Sequence, residues 1–258
     1  MTDRLQKESV LIIGGSGALG DALAPKLEKQ GFHVVIADVN PPLGNRYYKY
    51  MDATDPHSIE LCRDSLENDG IRISHVVVVV GALIESGLTD MFESSDEEID
   101  KTIELNLKSH LYALRHLGQH VSEGESDNKS FTLISSINAH NGYSIPFYSA
   151  AKGGLHGVLK PAAMNFGASG VRINIVTPGT VQTPSTREQP KNYKARAEAA
   201  ALGRLCSEGE VADGVMACIN LTGMTGQEIV IDAGQSINPS QSLYDQRRLG
   251  IAPQPKNN

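Results

Sequence analysis

Short apolar runs alternate with amphipathic stretches along almost the whole chain. Residues 10–13, V-L-I-I, are apolar without interruption, the pattern of a strand buried on both faces. A glycine-rich loop comes next, then a helical pattern to about residue 30. Residues 32–37 predict a second strand and 46–52 a weak third one. Residues 58–68 read as an amphipathic helix, and the fully apolar 76–80 as a fourth strand. From Asp96 a stripe of Ile99, Ile103, Leu107, Leu111, Leu114 and Leu117 predicts one long helix. Residues 131–134 are strand-like, and a second long helix starts at Tyr148 with Ala151, Leu155, Val158 and Leu159 on one face. Pro161 lies within it and predicts a local break, or a packing reason for its place there. Residues 171–177 alternate as a strand; 208–221 read as a helix and 228–231 as a last strand. Between these, residues 184–202 are polar with a helical tail, as suits a mobile lid. This alternation predicts an α/β doubly wound parallel sheet in a single domain, residues 1–239. Residues 240–258 form a polar tail, loosely ordered or packed at an interface.

Ligands of such sheets sit outside the carboxyl ends of the strands, so the loops there carry the candidate chemistry. Gly14, Ser16, Gly17, Ala18, Leu19 and Gly20 stand between the first strand and the first helix. Glycines allow close backbone approach, and a helix start offers unpaired N–H groups to a phosphate. The same loop could also be a tight turn without a ligand. Asp38 ends the second strand, where a carboxylate accepts from a ribose 2′-hydroxyl and repels a 2′-phosphate; no lysine or arginine adjoins it. Asp52, with Ala53 after it, could bond an adenine amine or cap the next helix. Val80 and Gly81 come after the fourth strand, and Pro178, Gly179, Val181 and Thr183 after the sixth.

The stretch 135–152 carries a second group: Ser135, Ser136, Tyr148 and Lys152. Tyr148 and Lys152 are four apart and share a helix face. A cation close to a phenol favours phenolate, which fits the pair for proton transfer at a carbonyl or alcohol oxygen. A serine hydroxyl at the strand end can hold that oxygen. Ser136 is favoured over Ser135, because alternation turns Ser135 to the other face. Asn106 interrupts the apolar stripe of its helix and needs partners. His140, Asn141 and Tyr143 are candidate substrate contacts.

Composition removes other classes. The 258 residues carry a net charge of -7 with no basic stripe, which argues against a nucleic-acid partner. Cys62, Cys206 and Cys218 are far apart and form no metal or disulfide pattern, in keeping with a reducing cytoplasm. The first residues lack the apolar core of a signal peptide, and no apolar run is long enough to cross a membrane. His116 and His120 have i, i+4 spacing but no third ligand, so no metal site is expected.

Taken together, these residues resemble the short-chain dehydrogenase/reductase family over about residues 8–240. Its T-G-x-x-x-G-x-G motif matches residues 13–20, with Ile13 in place of Thr and Ala18 in place of Gly. Its tetrad matches Asn106, Ser136, Tyr148 and Lys152; its P-G-x-x-x-T motif matches Pro178, Gly179 and Thr183. Val79-Val80-Gly81-Ala82 stands where the family usually has N-N-A-G. The resemblance implies a Rossmann-type fold and NAD(H)-dependent interconversion of a secondary alcohol and a ketone. It implies Tyr148 as general acid/base, with Lys152 lowering its pKa and holding the nicotinamide ribose. Asn106 would hold a water linking Lys152 to solvent, and Thr183 would meet the carboxamide. A homo-oligomer, tetramer or dimer, is implied through the two long helices. The other reading is a non-catalytic NAD(H)-binding sensor or assembly protein on the same fold.

Overall fold

The computed structural model describes residues 8–84, 91–141, 146–183 and 190–237. The expected tail, 240–258, lies outside them. The strands are β1 (Ser9–Ile13), β2 (His33–Asp38), β3 (Tyr47–Tyr50), β4 (Ile73–Val78), β5 (Lys129–Ile134), β6 (Val171–Pro178) and β7 (Glu228–Ile231). They form a parallel sheet in the order β3-β2-β1-β4-β5-β6-β7. The chain order reverses between β1 and β4, and a crevice opens there beyond the strand ends.

Alternate residues of each strand feed two cores, one on each face. Leu11, Ile13, Val35, Val76, Val78, Phe131 and Leu133 pack beneath α2 (Pro56–Asn68), α4 (Ser109–Ser122) and α6 (Pro146–Gly167). Val10, Ile12, Val34, Ile36, Val77 and Val176 pack beneath α1 (Ala18–Lys29) and α8 (Glu208–Asn220). Both sides of the central strands are covered, which is why their sequences are apolar runs rather than alternating ones. The segment expected as a lid contributes α7 (Pro190–Ala199).

Three local expectations change. The stripe that begins at Asp96 is not one α-helix. It is α3 (Asp96–Ile103), a π-helical turn over Glu104–Lys108, then α4. Ser95 starts α3 with a capping box closed by Glu98. A π turn inserts an extra residue and rotates the face of the helix beyond it; here it contains Asn106. Pro161 does not break α6, which runs unbroken from Pro146 to Gly167. Pro161 is exposed, and Gly157, one turn earlier, has open space around its missing Cβ, so water can take the carbonyl left unpaired. Finally, β4 starts and ends earlier than the apolar run suggests, so Val79 and Val80 lie beyond the strand, towards the crevice.

Candidate active site

The glycine loop is shaped by close contacts. Gly14 has φ +79°, and a Cβ there would come within 2.9 Å of the Val80 side chain. A Cβ on Gly20 would collide with the Gly15 carbonyl, so only glycine lets α1 pack this close to the loop. Gly17 is the N-cap of α1 and supplies no side chain to it, which leaves the first-turn N–H groups open to the crevice. Both oxygens of Asp38 are organised by backbone: Oδ2 accepts from Ser16 N at 3.0 Å, and Oδ1 from Asn40 N at 3.0 Å. The Ser16 hydroxyl donates to Asn40 O at 2.7 Å. Asp38 is thereby fixed beside the loop, with lone pairs left on each oxygen.

The crevice has a volume of about 870 Å³. Gly14, Ser16, Gly17, Ala18, Leu19, Asp38, Asp52, Ala53, Val80, Gly81 and Thr183 line it. No lysine, arginine or histidine is among its described lining residues. The nearby Arg46 is occupied by Asp21 at 3.0 Å and Glu28 at 3.6 Å. Asp52 does not cap the helix after it. That cap is Asp55, whose Oδ1 accepts from His57 N at 3.0 Å, while Asp52 Oδ1 accepts from the Thr54 N–H and hydroxyl. Pro178 O accepts from Ile137 N, and a Cβ on Gly179 would meet Asp232 and Gln235 at 2.8 Å. The loop of Pro178, Gly179, Val181 and Thr183 is thus pressed against the end of β7.

Asn106, Ser136, Tyr148 and Lys152 come together from the π turn, the end of β5 and the first two turns of α6. The Ser136 hydroxyl faces the Tyr148 phenol closely enough to favour its ionised form. Lys152 is buried, donating to Ile134 O at 3.0 Å and lying 3.5 Å from Val80 O; its Nζ is 5.9 Å from the centre of the Tyr148 ring. Asn106 Oδ1 and Lys152 Nζ both lie within 2.9 Å of the point that a Cβ on Gly81 would occupy. Glycine at this position therefore lets the backbone after β4 pass between them. Asn106 clamps the next peptide from both sides: Oδ1 accepts from Ala82 N at 3.1 Å, and Nδ2 donates to Ala82 O at 2.8 Å and Thr102 O at 3.1 Å.

The electrostatics depart from the sequence expectation in one respect. The resemblance has Lys152 lowering the phenol pKa. Instead burial raises Tyr148, and the facing Ser136 hydroxyl opposes that only in part. Burial also pushes the Lys152 amine down to about 7, so near neutrality it is only partly charged. Two further groups join the site without having been expected there. Buried His110, one turn beyond Asn106, faces Lys152; burial, then that amine, holds its pKa well below the usual imidazole range. Thr180 Oγ1 accepts from Arg196 on α7 and from Gln235, both at 3.1 Å, tying α7 to the strand ends. Only the apolar surroundings of His110 in the sequence hint at the first.

Other expected residues fall elsewhere. Ser135 turns away from the phenol and contacts His156 Nε2 at 2.8 Å. His140, expected at the substrate, is bonded through Nε2 to Glu228 at 2.7 Å, and the described crevice lining does not include it. The side chains of Asn141 and Tyr143 lie outside the described residues. His116 and His120 each pair with a glutamate of α2, Glu60 at 2.9 Å and Glu67 at 2.8 Å.

A glycine loop on an uncapped helix, an acidic residue at the end of β2, and a Ser-Tyr-Lys group at the end of β5 define a dinucleotide-dependent class of protein on a doubly wound sheet. A family model described as enoyl-(acyl carrier protein) reductase matches residues 15–236. The chain belongs to the short-chain dehydrogenase/reductase family, oxidoreductases that bind a nicotinamide cofactor. L-rhamnose 1-dehydrogenase (NADP(+)) of Thermoplasma acidophilum is 28% identical over 251 residues, 90% of this chain and 97% of the relative. Cyclopentanol dehydrogenase of Comamonas testosteroni is 24% identical, over 91% of this chain and 99% of the relative. Ligand-free aldohexose dehydrogenase of T. acidophilum has the same fold, with a TM-score of 0.82 at 24% identity, covering 90% of this chain and 95% of that one. No helix among the described residues is long and apolar enough to cross a membrane.

Proposed function

We propose that the protein is an NAD(H)-dependent oxidoreductase that interconverts a secondary alcohol and a ketone, with Tyr148 as general acid/base. The observation that carries this reading is the Tyr148 phenol set between the Ser136 hydroxyl and the buried amine of Lys152, 5.9 Å from its ring centre. The loop residues Gly14, Ser16 and Gly17–Leu19 would hold a pyrophosphate at the α1 N-terminus, Asp38 the adenosine ribose, and Asp52 with Ala53 the adenine edge. Val80 and Gly81 would lie along the cofactor, and Pro178, Gly179, Val181 and Thr183 would meet its carboxamide. The bound nicotinamide supplies hydride transfer; the protein supplies position and electrostatics.

The Tyr148 hydroxyl would give a proton to the substrate oxygen in reduction and take it in oxidation. Ser136 would share that oxygen and keep it against the phenol. Lys152 would bond the nicotinamide ribose and, when protonated, stabilise the phenolate. Asn106 has its amide engaged by Ala82 and Thr102, so its contribution is to position the peptide that runs past Lys152 rather than to hold a water with Nδ2.

Preference for NAD(H) is supported by Asp38 and by a described crevice lining without a cation. A 2′-phosphate there would face a carboxylate with no compensating charge. The relative from T. acidophilum is named for NADP(+), so the choice is a property to measure in this chain. The test is steady-state turnover with each cofactor on a panel that spans a sugar, a cyclic alcohol and a 3-oxoacyl thioester. NAD(H) should be favoured at least about tenfold in kcat/KM. Equal efficiency with both cofactors would overturn the cofactor reading, and NAD(H) binding without turnover on any alcohol would favour a sensor.

A further inference from the structure

On the far side of β5 from the phenol, three potential ligands converge from elements distant in sequence. His140 comes from the short helix α5 (Asn138–Asn141), His156 from α6 and Glu228 from the start of β7. One ligand atom from each lies within 4.8 Å of the others. The two imidazoles are 4.5 Å apart between ring centres, and Glu228 bridges them, Oε1 to His140 Nε2 at 2.7 Å and Oε2 to His156 Nδ1 at 3.8 Å.

The second contact is informative because it is too long for a hydrogen bond. The other nitrogen of His156 faces the Ser135 oxygen at 2.8 Å, and the Ser135 hydroxyl is 3.3 Å from Lys152 O. If Ser135 donates to that carbonyl, it must accept from His156 Nε2–H. Nδ1 then presents a lone pair to a carboxylate oxygen. Two acceptors aimed at one gap call for a cation between them. Zinc–ligand bonds of about 2.0–2.1 Å place tetrahedral neighbours roughly 3.3 Å apart, between the 2.7 and 3.8 Å that separate Glu228 from the two imidazoles. Beneath the cluster, Thr177 is fully buried, and its hydroxyl has no hydrogen-bond partner among the described residues.

We propose that His140, His156 and Glu228 form a binding site for a divalent transition-metal ion of the zinc type. Two imidazoles and one carboxylate select such an ion over Mg²⁺ or Ca²⁺, which prefer oxygen alone. A histidine ligand held through its other nitrogen is the usual second layer of such sites, and Ser135 provides it. Three protein ligands leave a fourth position open to water or another ligand. Occupation would tie β7 to α6 and to the turn after β5.

The test adds Zn²⁺, and separately Co²⁺ as a spectroscopic probe, to the untagged full-length chain. Calorimetry should find one tight Zn²⁺ equivalent per chain, and Co²⁺ should show the visible bands of a four-coordinate N/O site. His140→Ala, His156→Ala and Glu228→Gln should each weaken Zn²⁺ binding by at least about 100-fold, and Ser135→Ala by about 10–100-fold. His116→Ala, which removes a histidine–glutamate pair on another face, should leave binding unchanged. At a hundredfold excess over Kd, Zn²⁺ should raise Tm by about 5–10 °C in the wild type and not in Glu228→Gln. His140 is exposed and Glu228 only partly buried, so their variants should fold even if His156→Ala does not. No saturable binding below millimolar Zn²⁺, or binding that survives Glu228→Gln and His140→Ala, would overturn the proposal.

Discussion

Ser135 and Ser136 are neighbours at the end of β5, and their side chains enter two different environments. Ser136 meets the phenol in a group whose other members are buried: Lys152 is 2% exposed, and Asn106 and His110 are fully buried. Ser135 leads to His156, Glu228 and His140, a partly exposed cluster. In the first region desolvation dominates, raising the phenol pKa and lowering those of the amine and His110. In the second, burial lowers His156, but on the better-solvated Glu228 neighbouring groups outweigh burial and stabilise the carboxylate. One helix, α6, serves both, with Lys152 and His156 a turn apart. Solvent access, more than residue type, separates a proton-transfer site from a cation-binding one.

The largest expected effect is on chemistry. Tyr148→Phe removes one oxygen and keeps the ring, so turnover should fall by about 10²–10⁴-fold while Zn²⁺ affinity at the Ser135 side stays unchanged. Near wild-type turnover in this variant would remove Tyr148 from the mechanism. Next is cofactor choice. Asp38→Asn combined with Val39→Arg should move the NADP(H)/NAD(H) ratio of kcat/KM upward by about 10–100-fold, read from initial rates; an unmoved ratio would mean that discrimination lies elsewhere.

The serine pair tests the comparison directly. Ser136→Ala should lower kcat by about tenfold or more with little effect on Zn²⁺, and Ser135→Ala should do most of its damage to Zn²⁺ affinity. Parallel losses in both assays for both variants would mean that the two regions are one. The smallest effect is on stability. Lys152→Met should raise Tm by about 2–8 °C near neutral pH although turnover and NAD affinity fall, because a buried amine disfavours the folded state. Its folded pKa of about 7 lies below the ordinary 10.5, so the unfolded chain binds the proton more readily between those values. Wild-type stability therefore rises as pH climbs from 7 towards 10.5. The advantage of the methionine variant should be full below pH 7 and shrink above it. Thermal melts across that range check the sign, and a gap that widens with pH would show that Lys152 is not held neutral by burial.

Much of the fold is legible in the chain because its determinants are local. The apolar run at 10–13, the glycines at 14 and 20 and the acid at 38 each act through a few neighbouring residues, and the structure has β1, the loop and the end of β2 there. Helix register is less legible. The stripe from Ile99 to Leu117 has helical spacing, but a π turn also tolerates it, and the turn is visible only once Asn106 is seen gripping Ala82. Pro161 misleads for a related reason: whether a proline breaks a helix depends on the space and water around the preceding turn.

What the amino-acid sequence determined by itself is the alternation of strands and helices, the phosphate-type loop and the spacing that puts Tyr148 and Lys152 on one helix face. These come from backbone geometry and period. What the tertiary structure alone decided is how the side chains are paired and how wet they are. Glu228 is 88 residues from His140, and no periodicity links them; they meet because β7 pairs with β6 in a register that sets Glu228 opposite Ile175. The proton affinities of Tyr148, Lys152 and His110 likewise depend on burial by segments far along the chain. Desolvation and pairwise charge act through space over a few ångströms, and only the folded chain defines those distances.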